Sequence, residues 1–415
     1  MHKIPTILII FYFITCLPIQ AQTTTLRFSS LITGQGETIT DAVVVIENNK
    51  IIKVASGKKQ IPKNTKLIDL RPLTAIPGLI DAHTHITYYW DQTPGTRPWA
   101  QLGTLGAVVT VYLAQENARK ALETGVTTIR DLGSFDNMDF AMRDLINRGA
   151  MVGPRMFIAG RGISNRRTKG VEAVKAFAQE QIDAGADWIK MYGSTGSAND
   201  LTGKQTFNFE EMKAAVEVAH LAGKRISIHS YGPDGARDAV RAGTNTLEHA
   251  TDMDDATIKE MARKGVIYVP TVDHNRYYAA HKDEYGYNDT DVNNLNDYIQ
   301  RNLETLKKAV KAKVKIAMGS DAVFTGFGEN TGELNWFVKA GMTPAEAIET
   351  ATTIGAEMLG MENELGAIAP GFFADIVAVE GDPLQDIHVV INKVRWVMKD
   401  GKVVVDKRKG VPKNK

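Results

Sequence analysis

A single cysteine, Cys16, stands among the 415 residues. It falls inside an apolar N-terminal run, so no disulfide framework is available to hold the fold. Neither charge is in excess: Lys and Arg number 49 against 48 Asp and Glu. The chain therefore has no basic field to hold nucleic acid and no long block of like charge. Short repeats and low-complexity tracts are missing too, apart from the basic ending KRKGVPKNK, which reads as a frayed end. What is present is ordinary for a globular protein with a small-molecule or peptide partner. The chain is 43% hydrophobic and 23% charged, enough for one large domain and a smaller one.

The N-terminus differs from the rest. Met1-His2-Lys3 is a short basic start, Ile7 to Ile19 is almost uninterruptedly apolar, and Gln20-Ala21-Gln22 opens a polar Thr run. Residues 1–21 read as a secretory signal peptide, too short and wrongly flanked for a membrane span. Cleavage is expected near Ala21, although Ile19 fits the usual small residue poorly; a retained anchor is the competing reading. Phe13-Ile14-Thr15-Cys16 is a weak lipoprotein signal, and anchoring through Cys16 is not expected. A chain cut after Ala21 loses Lys3, leaving 48 basic residues (49 − 1) against 48 acidic ones. The expected product is neutral, cysteine-free and periplasmic or secreted, with no membrane association.

Residues 22–76 read as short strands: LRFSSLIT, AVVVIENNKIIKVA and TKLIDL are separated by turn residues. The style returns over 363–415 in ADIVAVEG and VVINKVRWVMKDGKVVV, where Asp400-Gly401 is a hairpin signal. Neither half has enough strands to stand alone. Together they predict one small β-sandwich built from both chain ends.

Between them, residues 77–362 alternate strand and helix. Apolar β runs recur as GLIDAHTH, VTTIRDLG, RMFIAGRG, DWIKMYG, RISIHSYG, TLEHAT, VIYVPTV and VKIAMGSDA. Amphipathic stretches such as FEEMKAAVEVAHLAGK separate most of them. Thr343-Pro344-Ala345-Glu346 marks a late helix start, with a capping box and Pro at the first helical position. The pattern predicts an α/β fold, a (β/α)8 TIM-like barrel. An open doubly wound sheet is the alternative, but no phosphate-binding Gly pattern follows the first strand.

In such a barrel the active-site face lies at the C-terminal ends of the strands, and there the unusual polar residues fall. The opening run ends in His83-Thr84-His85. In a strand, residues two apart share a face, so both imidazoles can converge on one divalent ion, with Asp81 on that face as well. Lys190 sits on the fourth run, His229 on the fifth, His249 on the sixth and Asp321 on the eighth. Singly, each has an ordinary reading as a strand-end residue meeting solvent. Jointly they read as a metal site. His220, His281 and His388 lack that context, and His274, just after the seventh run, is left open.

Taken together, PGLIDAHTH, the strand-four lysine, the two later histidines and GSDA resemble the amidohydrolase superfamily. WIKMYGS, ISIHSYG and TLEHATDMDD are most similar to its imidazolonepropionase-like and Xaa-Pro dipeptidase branch. The bridging lysine disfavours true imidazolonepropionase, which resembles a single-metal site. The resemblance implies two divalent ions, Zn2+ being expected, bridged by N6-carboxylated Lys190. His83, His85 and Asp321 would hold the more buried ion, and His229 and His249 the other. The physical logic agrees. A buried ammonium is expensive, whereas a neutral amine can take up carbon dioxide and become a two-oxygen anionic bridge. The competing reading is a lysine paired with Asp187 or Asp131.

Two ions about 3.5–4 Å apart can share a water, lower its pKa towards about 7 and polarise a carbonyl. Hydroxide attack on an amide follows as the expected reaction, with Asp321 passing the proton to the leaving nitrogen. Tyr231, two residues after His229, has two open roles: hydrogen-bonding a substrate carboxylate or oxyanion, or packing at the rim. Tyr192 carries the same ambiguity, and Arg161 has either a substrate carboxylate or a structural partner. Thr87 to Leu102 and Asp273 to Asn302 read as segments covering the mouth. The expected function is an Xaa-Pro dipeptidase. The alternatives are a hydrolase of a cyclic amide, N-acyl amino acid or lactone, and an extracytoplasmic binding protein without turnover. Homo-oligomerisation is left open.

Overall fold

In the first strand Leu26 and Phe28 are buried and Ser29 is exposed, whereas Ala42 to Ile46 of the second are buried throughout. The computed structural model describes residues 23–408; the leader expected over 1–21, with Cys16, and the end of the basic tail lie outside them. In chain order come β1 (Thr23–Ile32), β2 (Thr38–Glu47), β3 (Lys50–Ser56), β4 (Lys66–Asp69) and β5 (Thr74–Pro77). β1 pairs antiparallel with β2 along its length. Its other neighbour changes midway: Thr24–Arg27 run parallel to β4, and Ser30–Leu31 parallel to β5.

The middle of the chain supplies β6 (Leu79–Thr84), β7 (Val126–Asp131), β8 (Arg155–Ile158), β9 (Trp188–Tyr192), β10 (Arg225–Ser230), β11 (Thr246–His249) and β12 (Ile267–Val269). β6-β7-β8 form one parallel sheet and β9 to β12 another. β10 is buried on both faces, Ile226 and Ile228 on one and Ser227 and His229 on the other, as parallel strands under helices require. Backbone hydrogen bonds run between the sheets, Asp187 N–H donating to Ile158 O at 2.8 Å and Ile163 N–H to Lys190 O at 2.8 Å.

The run expected as an eighth strand makes only isolated bridges, Ile316 with Tyr268 and Ala322 with Thr84. Its contacts are nonetheless in sequence: Tyr268 N–H donates to Lys315 O, Ala82 N–H to Met318 O and Asp321 N–H to His83 O. Asp321 has left-handed backbone (φ 51°), which breaks the extended geometry a regular strand needs. β12 is short because Pro270 follows it and has no N–H to donate.

The chain returns as β13 (Ile376–Val379), β14 (Val394–Lys399) and β15 (Lys402–Asp406). β13 pairs antiparallel with β5, so the strand order is β15-β14-β13-β5-β1-β2-β3 with β4 on β1. Both chain ends do build this layer, but the pairings trace one branched eight-stranded sheet where the sequence predicts a sandwich. Its core includes Leu26, Phe28, Val44, Ile51, Trp396 and Met398. The Asp400-Gly401 hairpin forms as read, with φ of 49° and 72° suiting a turn that needs two left-handed residues.

The helix signals are also met. Phe209–Leu221 starts at a capping box of Asn208 and Glu211, and Pro344–Thr350 at one of Thr343 and Glu346. The second mouth segment is largely helical: Val272–Ala280, Lys282–Tyr285 and the start of Asp289–Lys311. It packs with the first through an aromatic cluster around Tyr277, Tyr278, Tyr285 and Phe324, against which Tyr88 and Trp90 lie.

Candidate metal centre

The pleat of β6 sets Asp81 and His83 on one face, but their carboxylate and imidazole do different work. Asp81 accepts hydrogen bonds from Ser320 N–H (2.9 Å), Ser320 Oγ (2.6 Å) and Asn330 Nδ2 (2.9 Å). It is occupied in anchoring the turn that carries Asp321.

Hydrogen bonds fix the tautomers of the first two histidines. His83 Nδ1 lies 2.8 Å from Glu248 Oε2. Burial pushes the Glu248 carboxyl up, but Arg130 and His83 outweigh it and hold it ionised. A carboxylate only accepts, so Nδ1 carries the proton and Nε2 presents its lone pair, 3.5 Å from Asp321 Oδ1. His85 Nδ1 likewise donates to Gly133 O at 3.0 Å, leaving Nε2 3.3 Å from Asp321 Oδ1. Gly133 leaves room for these groups, because a Cβ there would come within 2.8 Å of Tyr192 Oη and 3.0 Å of the His85 ring. Ligand atoms of His83, His85 and Asp321 all lie within 4.8 Å of one another, an arrangement able to hold a metal ion.

His229 and His249 stand beside this group, with ring centroids 4.4 Å apart and His249 5.1 Å from His83. His249 Nδ1 bonds Thr271 Oγ1 at 2.7 Å. Burial holds both imidazoles well below their ordinary pKa, and burial with the Lys190 charge pushes His83 down to about 4. Neutral imidazole is the form that ligates. Asp321 is held well below the ordinary carboxylate range: burial opposes this, but the surrounding imidazoles, His274 foremost, outweigh it. His249 and Asp321 both have left-handed backbone (φ 71° and 51°). Such positions cost about 1–3 kcal/mol each and persist where the surroundings over-determine them.

Lys190 completes the set. It is 1% exposed, and its Nζ has no hydrogen-bond partner. It makes no ion pair with either carboxylate weighed as its partner: Asp187 takes Arg143 at 3.1 Å, and Asp131 accepts from Ile86 N–H and Thr84 Oγ1 through Oδ2 while its Oδ1 stays unpartnered. The ion-pair reading is thereby overturned. Burial pushes the amine down to about 8, even against the attraction of Glu248 and Asp321. An orphaned, readily deprotonated amine among four imidazoles and a carboxylate fits a carbamate bridge between two cations.

The six candidate ligands line one cavity of about 610 Å³. His274, left open by the sequence, belongs to it, with Nε2 3.2 Å from Asp321 Oδ2. Tyr231 stacks on His229 at 5.2 Å and on Tyr298 at 4.9 Å, so it is packed and cavity-lining at once. Tyr192 lines the same space, its hydroxyl pushed up to about 12 by burial. Arg161 reaches the rim, but its guanidinium pairs with Glu180. His220 bonds Asn245 and His281 bonds the Tyr277 carbonyl, both outside the cavity.

Glu248 and Arg130 were not singled out from the sequence. Both are fully buried and paired at 2.9 Å, and Ser227 and Thr246 also donate to Glu248. The only signal was Glu248 preceding His249 on a buried strand. Glu248→Gln is expected to weaken metal binding about 10–100-fold by loosening His83. It should also destabilise the fold by about 3–5 kcal/mol, because Arg130 is left buried and unpaired. Metal titration and thermal melting check the two effects separately.

Strand-end imidazoles, an ionised carboxylate and an orphan lysine around one cavity define a metal-dependent hydrolase. The chain belongs to the amidohydrolase family, whose model matches residues 74–404. It is similar to ochratoxinase of Aspergillus niger, 31% identical over 92% of this chain and 87% of that protein. Imidazolonepropionase of Alkaliphilus metalliredigens is 24% identical over 89% of this chain and 91% of that protein. Among solved structures, an Xaa-Pro dipeptidase with methionine bound in its active site superposes with a TM-score of 0.83. It is 29% identical, covering 92% of this chain and 99% of that one. The branch is therefore that of the imidazolonepropionases and prolidases, and the chemistry is hydrolysis of a C–N bond.

Proposed function

We propose that this amidohydrolase is an Xaa-Pro dipeptidase working through two divalent ions, with Zn2+ the expected metal. The observation that carries the two-metal reading is Lys190, buried among the candidate ligands with an unpartnered Nζ. As a carbamate it would contribute an oxygen to each ion. His83, His85 and Asp321 would complete one site, and His229 and His249 the other. Bound there, the ions would supply Lewis acidity towards the carbonyl and lower the pKa of water. Asp321 Oδ2, already facing His274, would accept the proton from the attacking water and return it to the departing nitrogen. Tyr231 would hydrogen-bond the developing oxyanion or a substrate carboxylate.

Likeness to the Xaa-Pro dipeptidase over 99% of its chain supports the substrate reading. Likeness to ochratoxinase supports a broader second reading, an amide other than a dipeptide. The same proposal includes a closed (β/α)8 barrel over 77–362, supported by the hydrogen bonds linking β12, residues 314–322 and β6. The end segments 22–76 and 363–415 would form the second domain, and residues 1–21 a leader directing export.

The test uses protein beginning at Gln22, loaded with zinc in bicarbonate buffer and given dipeptides with and without C-terminal proline. Selective release of amino acids from Xaa-Pro is the expected outcome. Silence on every dipeptide, with about two ions bound per chain, would remove the dipeptidase and leave the metallohydrolase. Turnover of N-acyl amino acids, cyclic amides or lactones would then identify the second reading.

A further inference from the structure

Among the described residues, two buried side-chain polar atoms without a hydrogen-bond partner belong to residues that line the cavity: Lys190 Nζ and Tyr278 Oη. The proposed centre accounts for the first and leaves the second unexplained. Tyr278 lies one turn beyond His274 on the helix Val272–Ala280 and is 0% exposed. Its ring is fixed edge-on to His274 at 4.5 Å and to Tyr285 at 4.8 Å. Leaving a buried hydroxyl unpaired costs free energy that a phenylalanine at the same place would not. Packing alone therefore gives no reason for the oxygen.

We propose that Tyr278 is a substrate-binding residue whose hydroxyl donates a hydrogen bond to an acceptor oxygen, carboxylate or carbonyl, of the substrate in this cavity. The inference rests on the amide-hydrolase reading for the identity of that substrate. Burial raises the phenol well above its ordinary pKa, so it stays protonated and acts as a donor at neutral pH. A site that buries a donor for one acceptor discriminates strongly against analogues lacking that acceptor, because the donor is then left dry and unpaired.

The test compares wild type, Tyr278→Phe and Tyr285→Phe in melting temperature, and in kcat and KM on the best-cleaved Xaa-Pro dipeptide and its C-terminal amide. Tyr285 is the control because its hydroxyl does have a protein partner, Tyr277 Oη at 3.0 Å. Tyr278→Phe should melt at or above wild type and lose kcat/KM. The loss should be about 3- to 10-fold if the acceptor is a carbonyl and about 10- to 100-fold if it is a carboxylate. A loss confined to the free acid identifies the carboxylate; an equal loss on the amide identifies the carbonyl. Tyr285→Phe should instead lower the melting temperature with kcat/KM retained.

Tyr278→Phe within twofold of wild type on both substrates overturns the proposal, as does a lowered melting temperature accounting for the lost activity. If wild type cleaves no amide, the hydrolytic reading fails by itself. The comparison then runs through melting shifts induced by proline, N-acetyl amino acids and their amides. A shift in wild type that Tyr278→Phe loses sustains the binding role. Equal shifts, or none in wild type, overturn it.

Discussion

Lys190→Met is expected, on the proposed two-ion reading, to lower turnover by about 10²–10⁴-fold, because the transition state would lose several kcal/mol of stabilisation with the second cation. Metal bound per chain should fall from about two ions to about one. The metal-free variant should melt no lower than wild type, since methionine replaces the lysine stem without leaving an unpaired buried amine. That combination separates a bridging group from a structural one: a lysine holding the fold together would lower the melting temperature when removed. Lys190→Glu should recover part of the second metal and should do so in bicarbonate-free buffer, where wild type should not. Native mass spectrometry of wild type should find the mass of one carbon dioxide on the chain. Full turnover in Lys190→Met would remove the bridge from the mechanism.

Asp321→Asn has the next largest expected effect, a fall in kcat of about 10²–10⁴-fold, the range for a displaced proton carrier. The amide keeps one oxygen for a cation and nearly the same shape, so metal content should change far less than turnover. His83 and His85, whose Nε2 atoms lie 3.5 and 3.3 Å from Oδ1, would still converge there. Elemental analysis beside single-turnover kinetics distinguishes lost metal from lost proton transfer. Undiminished turnover with metal bound would deny Asp321 its role.

The candidate ligands were legible because strand geometry is a local property. Residues two apart share a face, and a polar residue ending an apolar run stands out, which suffices to collect His83, His85, Lys190, His229, His249 and Asp321. The groups that orient them were illegible because their roles depend on which strands become neighbours. Glu248 matters through a hydrogen bond to His83, 165 residues away in sequence. Arg130 is explained only by the carboxylate it meets across the sheet. Asp81 shares a face with His83 yet is claimed by Ser320 and Asn330, a competition that face counting cannot register. Alternation likewise predicted strands at both chain ends but not their pairing, because β1 exchanges one neighbour for another halfway along its length.

That exchange has a consequence for the order in which the protein can be made. β5 is held between β1, which precedes it closely, and β13, with Thr74 opposite Val379. At about 5–20 residues per second, a ribosome needs some 15–60 s to travel the roughly 300 residues between these partners. Until then β5 presents an open edge, and an unpaired edge is a template for the wrong strand. Completion of the terminal sheet is thus confined to the last moments of synthesis or to the time after release. A nascent chain stalled before Ile376 should be captured far more readily by a holdase chaperone than one stalled after Asp406.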